Sequence, residues 1–207
     1  MADFPRTIPP ASVTLPHVPG GLVSRGRTGK AQLRSEVSAG RVWQETWPPL
    51  SAGNANVQAL FTFVEKAYNL GETFDLVHYL LPGSGKAANG EGGGTPVVNG
   101  AAEAGTSIDT EGWTASVTGV VAAGDCIRIA GLYQLFRITA TANSDGDGKA
   151  TISINPSILV GSSPADHAAL TISGCKLRAF IGEYSPLPAA NASEYIGGFT
   201  VTFIEAP

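Results

Sequence analysis

From Gly112 to Ile158 the chain reads "GWTASVTGVVAAGDCIRIAGLYQLFRITATANSDGDGKATISINPSI". Apolar and polar residues alternate here at period 2, and Gly and Asp interrupt the alternation every few residues. That pattern suits short strands in a small barrel or sandwich. "LTISGCKLRAFIGEY" extends it, and after "SPLPAANAS" the chain closes with "YIGGFTVTFIEAP". There Phe199, Val201 and Phe203 alternate with Thr200, Thr202 and Ile204, as on one more strand. The expected fold is therefore mainly β.

One segment breaks the rule. In "NANVQALFTFVEKAYNLGE", Val57, Leu60, Phe61, Val64 and Tyr68 recur at helical spacing and form a single apolar stripe. Asn54 is a suitable N-cap and Gly71 a suitable C-terminal stop. The stripe predicts a helix lying on a sheet. Before it, "RVWQETWPPL" predicts a strand with Trp43, Glu45 and Trp47 on one face and Val42, Gln44 and Thr46 on the other. Pro48 and Pro49 end it. After the helix, "TFDLVHYLLP" (Thr73–Pro82) returns as a strand. Residues 1–40 hold Pro5, Pro9, Pro10, Pro16 and Pro19, which keep the backbone extended. An arm or an irregular edge is expected there. Residues 83–106, "GSGKAANGEGGGTPVVNGAAEAGT", read as a flexible linker and mark the best boundary in the chain. The expected division is a domain of residues 1–95 joined by 187–207, with an inserted β-domain over 96–186.

At 207 residues the chain can bury roughly 70% of its extended surface. Charged residues make up only 14%, well under the usual quarter. A surface poor in charge suits a protein that lives against neighbours more than a freely diffusing enzyme. The net charge is −4 and no basic run occurs, so the electrostatic footprint of a nucleic-acid binder is missing. No stretch approaches 18 apolar residues, and the N-terminal segment lacks the apolar core of a signal peptide. Synthesis in the cytoplasm, with no membrane partner, is the expectation.

Several stretches invite a chemical reading. Asn143, Asp145 and Asp147 occupy the first, third and fifth places of a calcium loop, and Gly148 the sixth. The twelfth place, where a bidentate Glu belongs, is Ile154, and the flanks are strand-like. "DGDG" is better explained as a hairpin turn. "PGSGKAANG" hints at a phosphate cradle, but Leu80 and Ala87 stand where the P-loop needs Gly and Ser or Thr. Asp109 and Glu111 in "IDTEGW" lie two apart beside Trp113. Such carboxylates could bind sugar or serve glycoside hydrolysis; a solvated loop ahead of a strand is the simpler reading. His17, His78 and His167 are scattered without ligand spacing. Cys126 and Cys175 read as two small buried thiols. Trp43 and Trp47 suit a core or an interface anchor. No residue earns a catalytic, cofactor-binding or metal-binding role, and no cofactor is expected.

Taken in order, "FPRTIPP", "RVWQETWPPL" with "VQALFTFVEKAYNL", "AAGDCIRIAGLYQLFRITATANSDGDGKATISINPSI" and the closing "GGFTVTFIEA" resemble the distal tail proteins of long-tailed bacteriophages. These motifs run from Phe4 to Ala206, and their order and spacing carry the likeness. The resemblance implies a tail-tube-like β-sandwich or barrel with one flanking α-helix, plus an inserted small β-barrel or sandwich domain. It implies a structural role: a homo-oligomeric ring, usually a hexamer, at the tip of the tail in the virion. Such a ring joins the tail tube protein to the baseplate hub protein and serves tail fibres and the tape-measure protein. A second expectation is a carbohydrate- or receptor-binding β-module using Trp113. A third is an enzyme, a depolymerase or hydrolase, resting on Asp109 and Glu111.

Overall fold

The computed structural model describes residues 2–14, 21–25, 31–35, 41–77, 90, 92–185, 195–196 and 198–206. His17, His78, Leu80, Lys86, Ala87 and the 186–194 connection lie outside the described residues. The first elements are β1 (Ser12–Thr14), β2 (Gly21–Arg25), β3 (Ala31–Ser35), β4 (Val42–Trp47), β5 (Leu50–Ser51), α1 (Ala55–Leu70) and β6 (Phe74–Leu76). Then follow β7 (Val97–Val98), β8 (Gly105–Glu111), β9 (Cys126–Ile129), β10 (Leu135–Ile138) and β11 (Ala150–Ile158). A 3-10 turn at Val160–Ser162 precedes β12 (Leu170–Thr171), β13 (Leu177–Tyr184), β14 (Tyr195–Ile196) and β15 (Phe199–Glu205). The protein is mainly β, as the alternation predicts, with one α-helix among the described residues.

The chain forms two compact units. One comprises Pro5–Thr73 and Ala179–Pro207 and is called here the terminal unit; the other comprises Met1–Phe4 and Phe74–Arg178 and is the inserted unit. The divisions fall after Thr73 and Arg178, where the Gly-rich stretch and residue 186 had been expected to mark them. Contacts of β6 explain the first shift. Phe74 packs on Phe4 with ring centroids 5.6 Å apart, Asp75 bridges Asp3, and Arg128 of β9 pairs with Asp75 at 3.4 Å. The second shift follows from β13, whose Ala179–Tyr184 portion pairs antiparallel with β15.

In the terminal unit the strands β1, β4, β15 and β13 lie side by side in that order. The β4–β15 register sets Trp47 opposite Phe199 and Trp43 opposite Phe203. Cross-strand aromatic pairs of this kind contribute roughly 0.2–1 kcal/mol each relative to an Ala–Ala pair. Trp47 and Phe199 stack 4.8 Å apart at 6°, and Trp43 and Phe203 5.4 Å apart at 19°. Both tryptophans are fully buried. Helix α1 begins where Asn54 Oδ1 accepts the Asn56 N–H at 2.9 Å. It stops at Gly71, whose left-handed backbone (φ +61°) turns the chain. Val57, Leu60, Phe61, Val64 and Ala67 are buried, and Phe61 meets Phe199 at 4.8 Å. Tyr68, the expected end of the stripe, is half exposed and packs edge-on against Tyr184. The tighter spacing of Ala67 to Val64 places alanine inward and leaves the ring at the rim. Of the supposed arm, β1 is an ordered edge strand on β4, and β2 and β3 form a hairpin.

The inserted unit is a barrel. Its sheet runs β12-β9-β10-β11-β8-β7. The two ends then meet: Val97 bridges Ala169, the Val98 N–H donates to Ala168 O, and the Leu170 N–H donates to Pro96 O. Closure removes the open edges that invite aggregation. Ile108, Val121, Ile127, Ile129, Phe136, Ile152 and Ile154 fill the core. Part of the expected flexible linker builds this barrel, since Val98 is fully buried and β8 starts at Gly105. Glycine serves close approach there: a Cβ on Gly94 would sit 2.1 Å from Gly112 O.

Candidate functional site

Asp145 anchors the turn expected from "DGDG". Its Oδ1 accepts N–H groups from Asp147 at 2.9 Å and Lys149 at 2.8 Å, and its own N–H donates to Lys149 O. The N–H of Lys149, set against the opposing effect of burial, holds the Asp145 carboxyl below its ordinary pKa. Gly148 has φ +71° and lies on Trp113, whose N–H donates to Gly148 O at 3.1 Å. The turn is not the tip of a simple hairpin. β10 and β11 pair only at Arg137–Asn155 and Ile138–Ile154. Beyond them the chain leaves β11 and runs against residues 117–121, through Ala142 N–H to Val121 O and Ser144 N–H to Val117 O. Asn143 Oδ1 accepts the Gly119 N–H at 2.8 Å. One side-chain oxygen each of Asn143 and Asp145 is thus committed to backbone N–H groups. Among the described residues no group of three or more His, Cys, Asp or Glu is placed to hold a metal ion.

Asp109 and Glu111 lie on strand β8 itself, not on a loop ahead of it. They face different partners. Thr151 Oγ1 donates to Asp109 Oδ1 at 2.6 Å, across the Thr151–Asp109 register of β8 and β11. Glu111 Oε1 lies 3.1 Å from His167 Nε2, while His167 Nδ1 lies 2.9 Å from Asp166 Oδ2. Asp166 Oδ1 accepts the Gly100 N–H, the main cause of its lowered pKa. Sequence spacing gave no hint of this acid–imidazole–acid cluster, because antiparallel closure of the barrel assembles it. Trp113 is buried at 4% exposure, and its Nε1–H donates to Thr110 Oγ1 at 2.8 Å. It offers no ring to a ligand, which removes the site that a Trp113-based sugar module requires.

Cys126 and Cys175 are both buried. The Cys175 thiol donates to Thr171 O and Cys126 O, and burial raises its pKa to about 11. It stays protonated at neutral pH, unlike an activated nucleophile. Trp43 and Trp47 both belong to the core of the terminal unit. Beside them is a feature that residue patterns had placed but not explained. Glu45, between the two tryptophans, is fully buried. Arg6 grips it with both terminal guanidinium nitrogens, Nη1 and Nη2, the Nη2 contact being 2.8 Å, and the Trp43 Nε1–H donates to Oε1 at 3.1 Å. Glu205 is likewise buried against Arg41, 3.0 Å away.

Several candidate residues also converge, among the described residues, on an open cleft of about 490 Å³ in the inserted unit. Asn99, Asp109, Asn143, Asp145, Lys149 and Thr151 line it, over a floor of Thr110, Ser144 and Ala150. The β8–β11 register joins Asp109 to Thr151 and so brings "IDTEGW" to "NSDGDGK". No described helix is long and apolar enough to cross a membrane. No protein-family model matches the sequence, and a search of curated proteins finds no match.

Proposed function

We propose that this chain is a structural protein of a bacteriophage tail tip, a subunit of a homo-oligomeric ring that joins the tail tube to the baseplate hub. In this reading the ring is a hexamer in the virion, assembled in the host cytoplasm, with tail fibres and the tape-measure protein as further neighbours. No residue transforms a substrate. The observation that carries the reading is the joint packing of motifs from both chain ends. Arg6 of "FPRTIPP" grips Glu45 of "RVWQETWPPL", and Ile8 O accepts the Trp47 Nε1–H. Phe199 of the closing strand stacks on Trp47, and Phe61 of the helix packs on Phe199. Residues of three of the four motifs behind the resemblance to distal tail proteins thus pack together in the terminal unit, while the fourth, from Ala122 to Ile158, belongs to the inserted unit.

A ring built from one patch meeting a different patch needs a heterologous interface. The β2–β3 hairpin supplies a candidate. Among the described residues these strands pair only with each other, Gly21 to Ser35 through Arg25 to Ala31. A two-stranded hairpin is marginal alone, and its unpaired edges template further pairing. The segment before it is unsuited to that role, because Arg6 and β1 complete the terminal unit.

Negative-stain microscopy and light scattering of the purified protein test the proposal. Six-fold rings, or rings on mixing with tube or hub protein, are expected. Deleting residues 21–35 should leave a folded monomer that no longer closes a ring. A protein that remains monomeric alone and with both partners overturns the reading, as does turnover of any substrate as its main activity.

A further inference from the structure

We propose that Asn99–Gly100 is a gated deamidation site with the Asp166 carboxylate as its gate, and that Asp125 holds Asn89–Gly90 in the same way. The inference stands whether or not the chain forms a ring. Only these two asparagines precede glycine in the chain. In both steps the glycine N–H is donated to an aspartate: Gly100 to Asp166 Oδ1 at 2.9 Å, and Gly90 to Asp125 Oδ2 at 3.0 Å. An Asn–Gly step is the most prone to this reaction, because glycine has no Cβ to screen its nitrogen or restrict its backbone. The Gly100 nitrogen loses its proton and attacks Asn99 Cγ. The N–Cγ bond forms, the Cγ–Nδ2 bond breaks, and ammonia leaves with the proton. Water then opens the succinimide ring at either carbonyl, giving aspartate or isoaspartate.

The attack needs a glycine nitrogen that is both released and deprotonated, and Asp166 opposes both. Its Oδ1 engages the N–H, and a negative charge 2.9 Å from the nitrogen disfavours a second one there. The carboxylate is also a poor base for that proton, since the Gly100 N–H lowers its pKa. The Asn99 side chain is otherwise ready to react. Its carboxamide has no hydrogen bond to a described residue, and it lines an open cleft that admits water. At the second step the hold is closer. Asp125 is buried and also accepts the Ala122 N–H, and a Cβ on Gly90 would lie 2.6 Å from Val121 Cα. The position of Asn99 gives its gate a consequence. The Val98 N–H donates to Ala168 O, the His167 N–H donates to Val98 O, and the Asn99 N–H donates to Asp109 O, so the step lies on the seam that closes the barrel. Isoaspartate adds a main-chain carbon there and aspartate adds a charge, and either change loosens the seam.

The test incubates the full chain at neutral pH, folded and in urea, and follows conversion at each site by peptide mass spectrometry. Enzymatic methylation of isoaspartate is the second readout. Both steps should convert at least about tenfold more slowly in the folded chain than in urea, the weight of one hydrogen bond to a charged group. Asp166→Ala should raise the folded-chain rate at Asn99 about tenfold and leave Asn89 slow, which shows that the barrel is still closed. His167→Asn is the control, because asparagine tolerates the left-handed backbone found there at φ +57°. It removes the imidazole contacts to Glu111 and Asp166 and spares the Gly100–Asp166 bond, so Asn99 should stay slow. If Asp166→Ala speeds both sites, the barrel has opened, and Asp166→Asn, which keeps an acceptor oxygen without the charge, decides the question. Faster conversion at Asn99 alone then supports the gate, and equal rates at the two sites overturn it. Three further results overturn the proposal: equal rates in the folded chain and in urea, an Asn99 rate that Asp166→Ala leaves unchanged or lowers, or a His167→Asn rate as high as that of Asp166→Ala. The last would assign the protection to the seam as a whole and not to the carboxylate.

Discussion

The two units bury carboxylates in opposite ways. In the inserted unit, Asp125 is 1% exposed and accepts N–H groups from Gly90 and Ala122. In the terminal unit, Glu45 and Glu205 are held by guanidinium groups from Arg6 and Arg41, which lie 39 and 164 positions away along the chain. Backbone donors are present in any sequence that makes the turn; a guanidinium is one side chain. At Asp125 the inserted unit thus uses main-chain donors beside an Ile-rich core, and its ion pairs, such as Arg128–Asp75, are part-exposed. The terminal unit concentrates its cohesion in a few pairs set among stacked aromatics. It follows that the terminal unit is the one that a single polar substitution can break.

Arg6→Ala makes the largest break. It leaves the buried Glu45 carboxylate with only Trp43 Nε1 as a described donor, and removing one member of a buried pair costs about 3–5 kcal/mol. Urea unfolding followed by hydrogen exchange at β4 and β15 amides should show that loss. The double variant Arg6→Ala with Glu45→Leu should recover much of it, because no charge is then stranded. A cost under about 1 kcal/mol, the value of an exposed pair, would erase the contrast between the units. In the inserted unit the largest effect comes from backbone space instead. Gly148→Ala places a Cβ 2.4 Å from Trp113 O at φ +71°. The left-handed backbone and the overpacking together should cost about 2–3 kcal/mol. Gly146→Ala, two residues earlier, meets nothing within 4 Å and is the matched control. Equal losses at the two positions would mean that the turn, not its seat on Trp113, sets the cost.

The same contrast explains what the sequence made legible. Local signals were clear: the Asn54 cap, the Gly71 stop, the single face shared by Trp43, Glu45 and Trp47, and the turn centred on Asp145. Each depends on residues within a few positions of one another. Period-2 spacing even put Glu45 in the row of tryptophans, yet its partner Arg6 was unreadable, because nothing in an extended Pro-rich segment reports what it will lie against. Glycine misled for a related reason. At Gly94 it serves close backbone approach, and composition alone does not separate that from flexibility. The cleft and the His167 cluster escaped because β-sheet register creates them, and register is a property of pairs of strands. Trp113 beside two acids looked like a ligand platform; its ring turns inward because Thr110, also buried, accepts its N–H.

Smaller effects sharpen the comparison. Asn54→Ala removes the side-chain acceptor at the start of α1 and should cost about 1 kcal/mol. That is a fraction of the Arg6→Ala loss within the same unit. A loss as large as that of Arg6→Ala would place the unit's cohesion in the helix start and not in the ion pairs.

The smallest expected effect belongs to Asp145, which is exposed and held chiefly by main-chain N–H groups, with the Lys149 charge adding to them. Its folded pKa is lowered, chiefly by the Lys149 N–H. The turn's stabilisation is therefore complete above the ordinary aspartate range and is lost as pH falls through the lowered folded value. The Asp147 and Lys149 amide resonances should titrate with a midpoint below about 3.9, the unperturbed aspartate value. Asp145→Asn keeps an oxygen acceptor and should abolish that titration while preserving the turn. A midpoint at or above the ordinary value would mean that the N–H groups do not favour the charged carboxylate. The inserted unit's reliance on backbone donors would then lose its clearest exposed instance.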